Sequence, residues 1–264
     1  MAKSANKKRL DLILFEHGFF ETKSAASANI IAQNVKINNE IITKAGTLFD
    51  EDFLFNEENP AIIEINSIPF VSRGGLKLEG AIKEFNIDLK DKICIDMGAS
   101  TGGFCDCMLQ YGAKFVYALD CGYNQLAWKL RQDKRIKSIE KINVKNCSFF
   151  DVYGCDFLED DKLPSFMSMD LSFISIKKVL NNCKKLISKN ASCVLLIKPQ
   201  FEADRKDIDK GGVVKDEKVR EEIIEDIKQF CTNSGFEVKG LIKSPIQGAK
   251  SKNIEYLIYL KREN

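Results

Sequence analysis

Histidine is almost missing from this chain: His17 is the only one in 264 residues. That scarcity removes most imidazole acid–base chemistry and most histidine-ligated metal sites. Any proton transfer in an enzyme of this sequence falls to carboxylates, lysines or thiols. Cysteine is present nine times, an odd count, yet no CxxC pair occurs. The nearest pair, Cys105 and Cys107, lacks the spacing and the histidines of a zinc site, so no metal is expected. The cysteines lie in apolar segments and read as buried free thiols in a reducing cytosol. No apolar run nears the roughly 20 residues that cross a bilayer, and no secretory core opens the sequence. A cytoplasmic protein without a membrane partner is expected. Charge of one sign is lacking as well, since 40 basic residues meet 38 acidic ones for a net +2. Only the first 49 residues are mildly basic. Lys3, Lys7, Lys8, Arg9, Lys23, Lys36 and Lys44 there face Asp11, Glu16, Glu21 and Glu40. That excess suits an anionic partner, although a charge run is usually a solvated face.

What is present is ample core material, 44% hydrophobic residues with 30% charged, in a length that fits a main domain plus a small one. Residues 7–17, KKRLDLILFEH, have helical apolar spacing and stop at Gly18. A second helix is expected from Thr22, as N-cap, to Ala32. VKINNEIIT reads as two short strands about a turn at Asn38 and Asn39, because asparagine tolerates a left-handed backbone. The acidic DEDFLFNEENP reads as a boundary. Residues 1–60 are thus expected as a small helix–helix–hairpin module, 61–70 as linker and 71–264 as the main domain. From KICIDMGAS onward strands alternate with helices: KICIDMG, FVYALDC, SFMSMDL, SCVLLIK, FEVKGLIKS and IEYLIYLK. That alternation predicts a doubly wound α/β sheet with an antiparallel last strand.

Three features carry chemistry. IDMGASTGGF sets a strand, then Gly98, Gly102 and Gly103, then a helix, so that backbone can approach a ligand with helix N–H groups aimed at it. Asp120 ends the next strand, where an acidic side chain can accept bonds from ribose hydroxyls. Such a loop suits a dinucleotide or S-adenosylmethionine, and its bland alternative is a tight turn with a capping aspartate. MDLSF, LIKP and NIEYL then bring Asp170, Lys198 and Glu255 to one edge of the sheet, with Lys77 of SRGGLKLEG as a fourth member. Val194–Ile197 reads as a buried strand ending in an ammonium, a costly choice unless the lysine is used. An unperturbed lysine, with a pKa of about 10.4, is a poor base at neutral pH. Burial and a second cation free its lone pair. Lys198 would then take a proton from a weakly acidic hydroxyl, with Asp170 and Glu255 orienting the lysines. Taken singly, each of the four is a rim salt bridge; together at strand ends they point to a site.

PFVSRGGLKLEGAI, DMGASTGGFCDCML, VYALDCGYNQL, MDLSFISI, LIKPQFEA, KGGVVKD and SPIQGAKSKNIEY together resemble the TlyA, or haemolysin A, family over about Pro69 to Tyr259. The resemblance implies an FtsJ-like, Rossmann-like class I methyltransferase that uses S-adenosylmethionine to methylate a ribose 2′-hydroxyl of ribosomal RNA. The family's Lys-Asp-Lys-Glu tetrad falls on Lys77, Asp170, Lys198 and Glu255, with Lys198 as the base. The resemblance also assigns cofactor contacts to Gly98, Ser100, Gly102, Gly103, Phe104 and Asp120. It gives an adenine contact to Asp156 in GCDF, with Asp151 as second choice. RLDLILFEHG and VKINNEIITKAGTLF resemble the small RNA-binding domain of a ribosomal small-subunit protein and of pseudouridine synthases. That implies an α+β module with Lys7, Lys8, Arg9 and Lys23, and Arg73 beyond it, as RNA contacts. The partner implied is ribosomal RNA or a ribosomal subunit. A cytidine is the implied target, and the short C-terminus matches relatives that modify only the large subunit. The chain departs from the pattern at Gln33 and Asn39, where glycines are usual, and at Lys252 before Asn253.

The alternatives fare worse on the same residues. A nicotinamide dehydrogenase lacks a histidine or tyrosine for hydride transfer and lacks G-x-G-x-x-G. Base-amine methylation uses a Pro-Pro-aromatic motif where DLSF stands, and no proline precedes a cysteine as cytosine C5 methylation requires. A pore-forming haemolysin, suggested by the family's older name, finds no membrane segment. An RNA-binding module without catalysis conflicts with the intact tetrad.

Overall fold

A computed structural model describes residues 7–65, 68–247 and 253–263. The chain forms two compact units, Met1–Pro69 and Phe70–Asn264.

The first unit begins with β1 (Lys7–Arg9), α1 (Leu10–Glu16) and α2 (Lys23–Ile31). It continues with β2 (Val35–Ile37), β3 (Glu40–Ile41), β4 (Leu48–Asp50), α3 (Glu51–Leu54) and β5 (Ile63–Ile65). Lys7–Arg9, expected as the start of a helix, instead pair antiparallel with β4, Lys7 opposite Asp50 and Arg9 opposite Leu48. A ladder partner some forty residues away outweighs local helical spacing here. The helix proper stops before Gly18, whose φ of +74° a side chain would strain. Thr22 caps α2 as expected, its hydroxyl accepting the Ala25 N–H at 3.0 Å. The β2–β3 hairpin turns through Asn38 and Asn39, at φ +50° and +68°. Gln33, the other non-glycine departure, is also left-handed, at φ +64°. The acidic stretch read as a boundary is structured: Asp50 caps α3 and Leu54 is fully buried among Leu10, Ile13, Leu14, Ile30 and Val35. β5 falls within the stretch read as linker and pairs with β2, Val35 opposite Ile65. An amphipathic pattern of only three residues gave no signal of that pairing.

The second unit opens with α4 (Gly74–Phe85), β6 (Ile93–Met97), α5 (Gly103–Gln110), β7 (Phe115–Leu119), α6 (Trp128–Arg131) and β8 (Ile136–Ile139). Then come α7 (Phe149–Tyr153), β9 (Phe166–Met169), α8 (Leu180–Cys183), β10 (Ser192–Ile197), α9 (Pro199–Glu202), α10 (Glu217–Asn233), β11 (Phe236–Lys243) and β12 (Tyr256–Arg262). Seven strands form one sheet in the order β11-β12-β10-β9-β6-β7-β8. β8, β7, β6, β9 and β10 are parallel, and β12 runs antiparallel to both β10 and β11. Every residue of β9 and β10 is buried, because helices cover both faces of a parallel sheet. That cover explains the unbroken apolar run before Lys198. Gly235 ends α10 at φ +78°. β8 was not among the strands read from the sequence. The crossing of the chain from β6 outward to β7 and back to β9 leaves a crevice at the carboxyl ends of the strands, where ligands bind in such sheets.

Candidate active site

Four charged side chains from four separate elements converge beyond those strand ends. Asp170 follows β9, Lys198 follows β10, Glu255 precedes β12, and Lys77 stands in the first turns of α4. They form a chain of alternating sign. Lys198 Nζ lies 2.6 Å from Asp170 Oδ1, Asp170 Oδ2 lies 3.7 Å from Lys77 Nζ, and Lys77 Nζ donates to Glu255 Oε2 at 2.6 Å. Lys198 Nζ also donates to Ser172 Oγ at 2.8 Å. Glu255 is 3% exposed and Lys77 8%. Charges this deep are tolerable only when paired, and the alternation makes the group neutral overall. The lysine at the tip of the buried strand is therefore held inside the site. It does not snorkel to water.

The glycine loop lies beside this group. Gly98 and Gly102 adopt φ of +90° and +93°, and Ser100 +48°. A Cβ on Gly98 would stand 2.8 Å from the Asp170 carbonyl oxygen, so the missing side chain lets the β6 and β9 tips close together. A Cβ on Gly103 would meet Ser72 Oγ at 2.3 Å and the Gly75 nitrogen at 2.9 Å, so α5 starts directly against the chain that starts α4. Asp120 is oriented by two backbone donors, Ser100 N–H to Oδ2 and Gly122 N–H to Oδ1, both at 2.7 Å. Two cavities, of about 310 and 470 Å³, share Gly98, Ser100, Asp170 and Ser172 in their walls. Arg73, Lys77, Gly103, Phe104 and Lys198 line the first; Asp120 and Cys121 line the second.

Other residues read from the sequence sit elsewhere. Asp156 is exposed in the turn after α7 and lines neither cavity. Asp151 is engaged in a capping box with Ser148. The second cavity is instead closed by Ile142, Asn143 and Val144 from the loop after β8. Lys8 pairs with Glu51 at 2.9 Å and Glu16 at 3.3 Å, and Arg9 forks onto Asp11 at 3.0 and 2.7 Å. Asp11 is nearly buried, and the Arg9 guanidinium holds its carboxyl below the usual carboxylate range. Those two cations are engaged in the module's own ion pairs, although Arg9, like Lys7, Lys23 and Arg73, is exposed. Lys252 lies outside the described residues.

Two further members escaped the sequence reading. Ser172, within the quoted DLSF, is the hydrogen-bond partner of Lys198. Asp96, within IDMG, is a 1% exposed carboxyl in the wall of the first cavity. It accepts from Ser168 Oγ at 2.8 Å and from Cys105 Sγ at 3.2 Å, and burial pushes its pKa up to about 7. Seven of the nine cysteines are buried, and all nine are free thiols. Among the described residues, no cluster of three His, Cys, Asp or Glu side chains is placed to hold a metal, and no helix is long and apolar enough to cross a membrane.

Comparison with known proteins matches residues 70–262 to the FtsJ-like methyltransferases and residues 8–52 to the S4 domain. The Bacillus subtilis protein YqxC is 43% identical over 97% of this chain and 86% of its own length. Hemolysin A of Brachyspira hyodysenteriae is 42% identical, covering 95% and 98%. The 16S/23S rRNA (cytidine-2′-O)-methyltransferase TlyA of Mycobacterium tuberculosis is 32% identical, covering 98% and 91%. A solved structure from Streptococcus thermophilus is 40% identical, covers 99% of this chain and 90% of its own, and superposes with a TM-score of 0.73.

Proposed function

Because the chain belongs to the FtsJ-like methyltransferases, within the TlyA or haemolysin A family, we propose that it methylates a ribose 2′-hydroxyl of a cytidine in ribosomal RNA. The large subunit is the favoured substrate, because 23S rRNA is named as a target for both the Mycobacterium tuberculosis and the Campylobacter jejuni TlyA relatives. The observation that carries this reading is the alternating chain Lys198–Asp170–Lys77–Glu255 opening on a cavity that it shares with the glycine loop.

S-adenosylmethionine, when bound, supplies an electrophilic methyl group. The loop fits it. Asp120 already has both oxygens fixed by backbone donors and retains lone pairs for the ribose hydroxyls, while Gly98, Ser100, Gly103 and Phe104 leave room for the chain that bears the sulfonium. Asn143, Ile142 and Val144 fit the adenine. Methyl transfer from a sulfonium needs an aligned nucleophile more than a strong acid. Lys198, in its neutral form, accepts the proton of the RNA 2′-hydroxyl, and Asp170 and Ser172 fix the direction of its amine. Lys77 lies between Asp170 and Glu255 and offsets part of the cost of holding two carboxylates in the wall next to the reacting centre. The S4 domain supplies a second contact with RNA, with Lys7, Lys23 and Lys44 among its exposed cations.

The test is transfer of labelled methyl groups from S-adenosylmethionine to separately purified, unmodified ribosomal subunits, with the product mapped by mass spectrometry. Wild type is expected to place one ribose methyl on a cytidine. Lys198→Ala is expected to lower the rate by about 10²–10⁴-fold while S-adenosylmethionine still binds. No transfer to either subunit by folded, cofactor-binding wild type would overturn the ribosomal assignment.

A further inference from the structure

The pairing of Lys198 with Asp170 is not secured by the sheet. The ladder between β9 and β10 ends at Met169 opposite Leu195, and both charged residues lie beyond it. The Asp170–Ser175 segment has little regular structure of its own. It contains Phe173 at φ +65°, a conformation that an aromatic residue keeps only when its surroundings impose it. Some other tie must hold this loop over the Lys198 turn.

Glu202, at the end of α9 and one turn beyond Lys198, makes that tie. Its Oε1 accepts the Ile176 N–H at 2.8 Å, and its Oε2 accepts the Ser175 O–H at 2.5 Å. Ser175 in turn caps the single 3-10 turn Ile176–Lys178, accepting the Lys177 N–H at 3.1 Å. Next to this contact the Phe201 ring lies 5.1 Å from that of Phe173, and Lys198 Nζ lies 5.8 Å from the Phe201 ring. One carboxylate thus bridges the two strand-tip segments, one bearing Asp170 and Ser172, the other Lys198. Burial, with a smaller push from Asp226, holds the Glu202 carboxyl above its ordinary range, so the two donors offset a real desolvation cost. An exposed residue would have served the solubility of α9 without that cost.

We propose that Glu202 is a positioning residue for methyl transfer, clamping the Asp170–Ser175 loop to the Lys198 turn and thereby fixing where Asp170 and Ser172 stand around the base. This rests on the reading of Lys198 as the base of a ribose methyltransferase. Glu202 touches neither cavity; it acts through the spacing of residues that do.

Single-turnover methyl transfer to ribosomal subunits tests this on the full chain, with S-adenosylmethionine binding measured by calorimetry alongside. Glu202→Gln, which keeps the shape and one acceptor, is expected to lower the transfer rate at least tenfold. Its cofactor dissociation constant and the KM for the subunit should stay within about twofold of wild type. Ser175→Ala should reproduce most of that loss, and Ser175→Thr, which keeps the hydroxyl, should restore it. The double variant Glu202→Gln/Ser175→Ala should be no slower than the worse single one, because both remove the same link. Wild-type rates in Glu202→Gln would overturn the clamp, as would a parallel loss of cofactor binding, which marks a general scaffold role. A wild type that transfers no methyl group would instead overturn the functional reading beneath it.

Discussion

Asp96 is a buried carboxyl of this site that burial brings to titrate at about 7. Buried behind the glycine loop, it is held by Ser168 and Cys105, with no cation among the groups that act on it, and the neighbouring Asp170 and Asp120 charges raise its pKa further. Its folded-state pKa of about 7 lies above the ordinary 3.8, so the folded protein keeps a proton that the unfolded chain would release between those values. That contribution to stability is fully present below about pH 4 and is lost as pH rises through about 7. Asp96→Asn removes the titration. In denaturant melts it should match wild type at pH 4 and exceed it at pH 8 by on the order of 2 kcal/mol. Equal gaps at both pH values would rule out a buried, titrating carboxyl.

At the scale of the element, the site depends on how closely two helix starts approach. α4 and α5 meet through Gly103, where even a methyl group would fall 2.3 Å from Ser72 Oγ and 2.9 Å from the Gly75 nitrogen. A side-chain hydroxyl can rotate away, but a backbone nitrogen cannot, so the start of α4 must shift. Lys77 rides on that helix, and Ser72, Arg73 and Gly74 form part of the cavity wall. Gly103→Ala is therefore expected to weaken S-adenosylmethionine binding at least tenfold by calorimetry and to slow transfer further, with the protein still folded. Unchanged binding would show that the two helices have slack at this junction. Asp106 secures the same junction from the other side, its Oδ2 accepting the Val71 N–H at 2.8 Å.

For the whole molecule, the two units carry separate cores. The first gathers around Leu10, Ile13, Leu14, Ile30 and Leu54; the second spans the large sheet, from Ile95 and Met97 to Phe236 and Leu260. A chain of residues 70–264 should consequently fold and bind S-adenosylmethionine with nearly the full-length affinity. Its affinity for ribosomal RNA should fall, and the slope of log K against log salt should become shallower by about 0.7–0.9 for each phosphate that the S4 domain neutralises in the full-length protein. An unchanged slope would show that the S4 domain makes no ionic pairing with RNA. With Lys8 and Arg9 committed to Glu51, Glu16 and Asp11, Arg9→Ala should act mainly by destabilising the first unit.

The sequence by itself determined which chemistry is available and where along the chain it falls. One histidine left carboxylates, lysines and thiols for acid–base work, and strand-end positions put Asp170, Lys198 and Glu255 at one edge. An unbroken apolar run marked β10, and turn residues such as Asn38, Asn39 and Gly235 marked the breaks, because these signals depend on near neighbours. The tertiary structure alone decided what depends on partners far away in sequence. Lys7–Arg9 became a strand because β4 was there to pair with it, and the acidic stretch after Leu48 joined a core. β8, four residues long with only Ile139 buried, gave too weak a pattern to be seen. Asp96, Ser172 and Glu202 lay in plain view within IDMG, DLSF and KPQFE. Their roles emerge only from distances across the fold, since a carboxyl or hydroxyl takes its charge, partners and direction from whatever packing sets beside it.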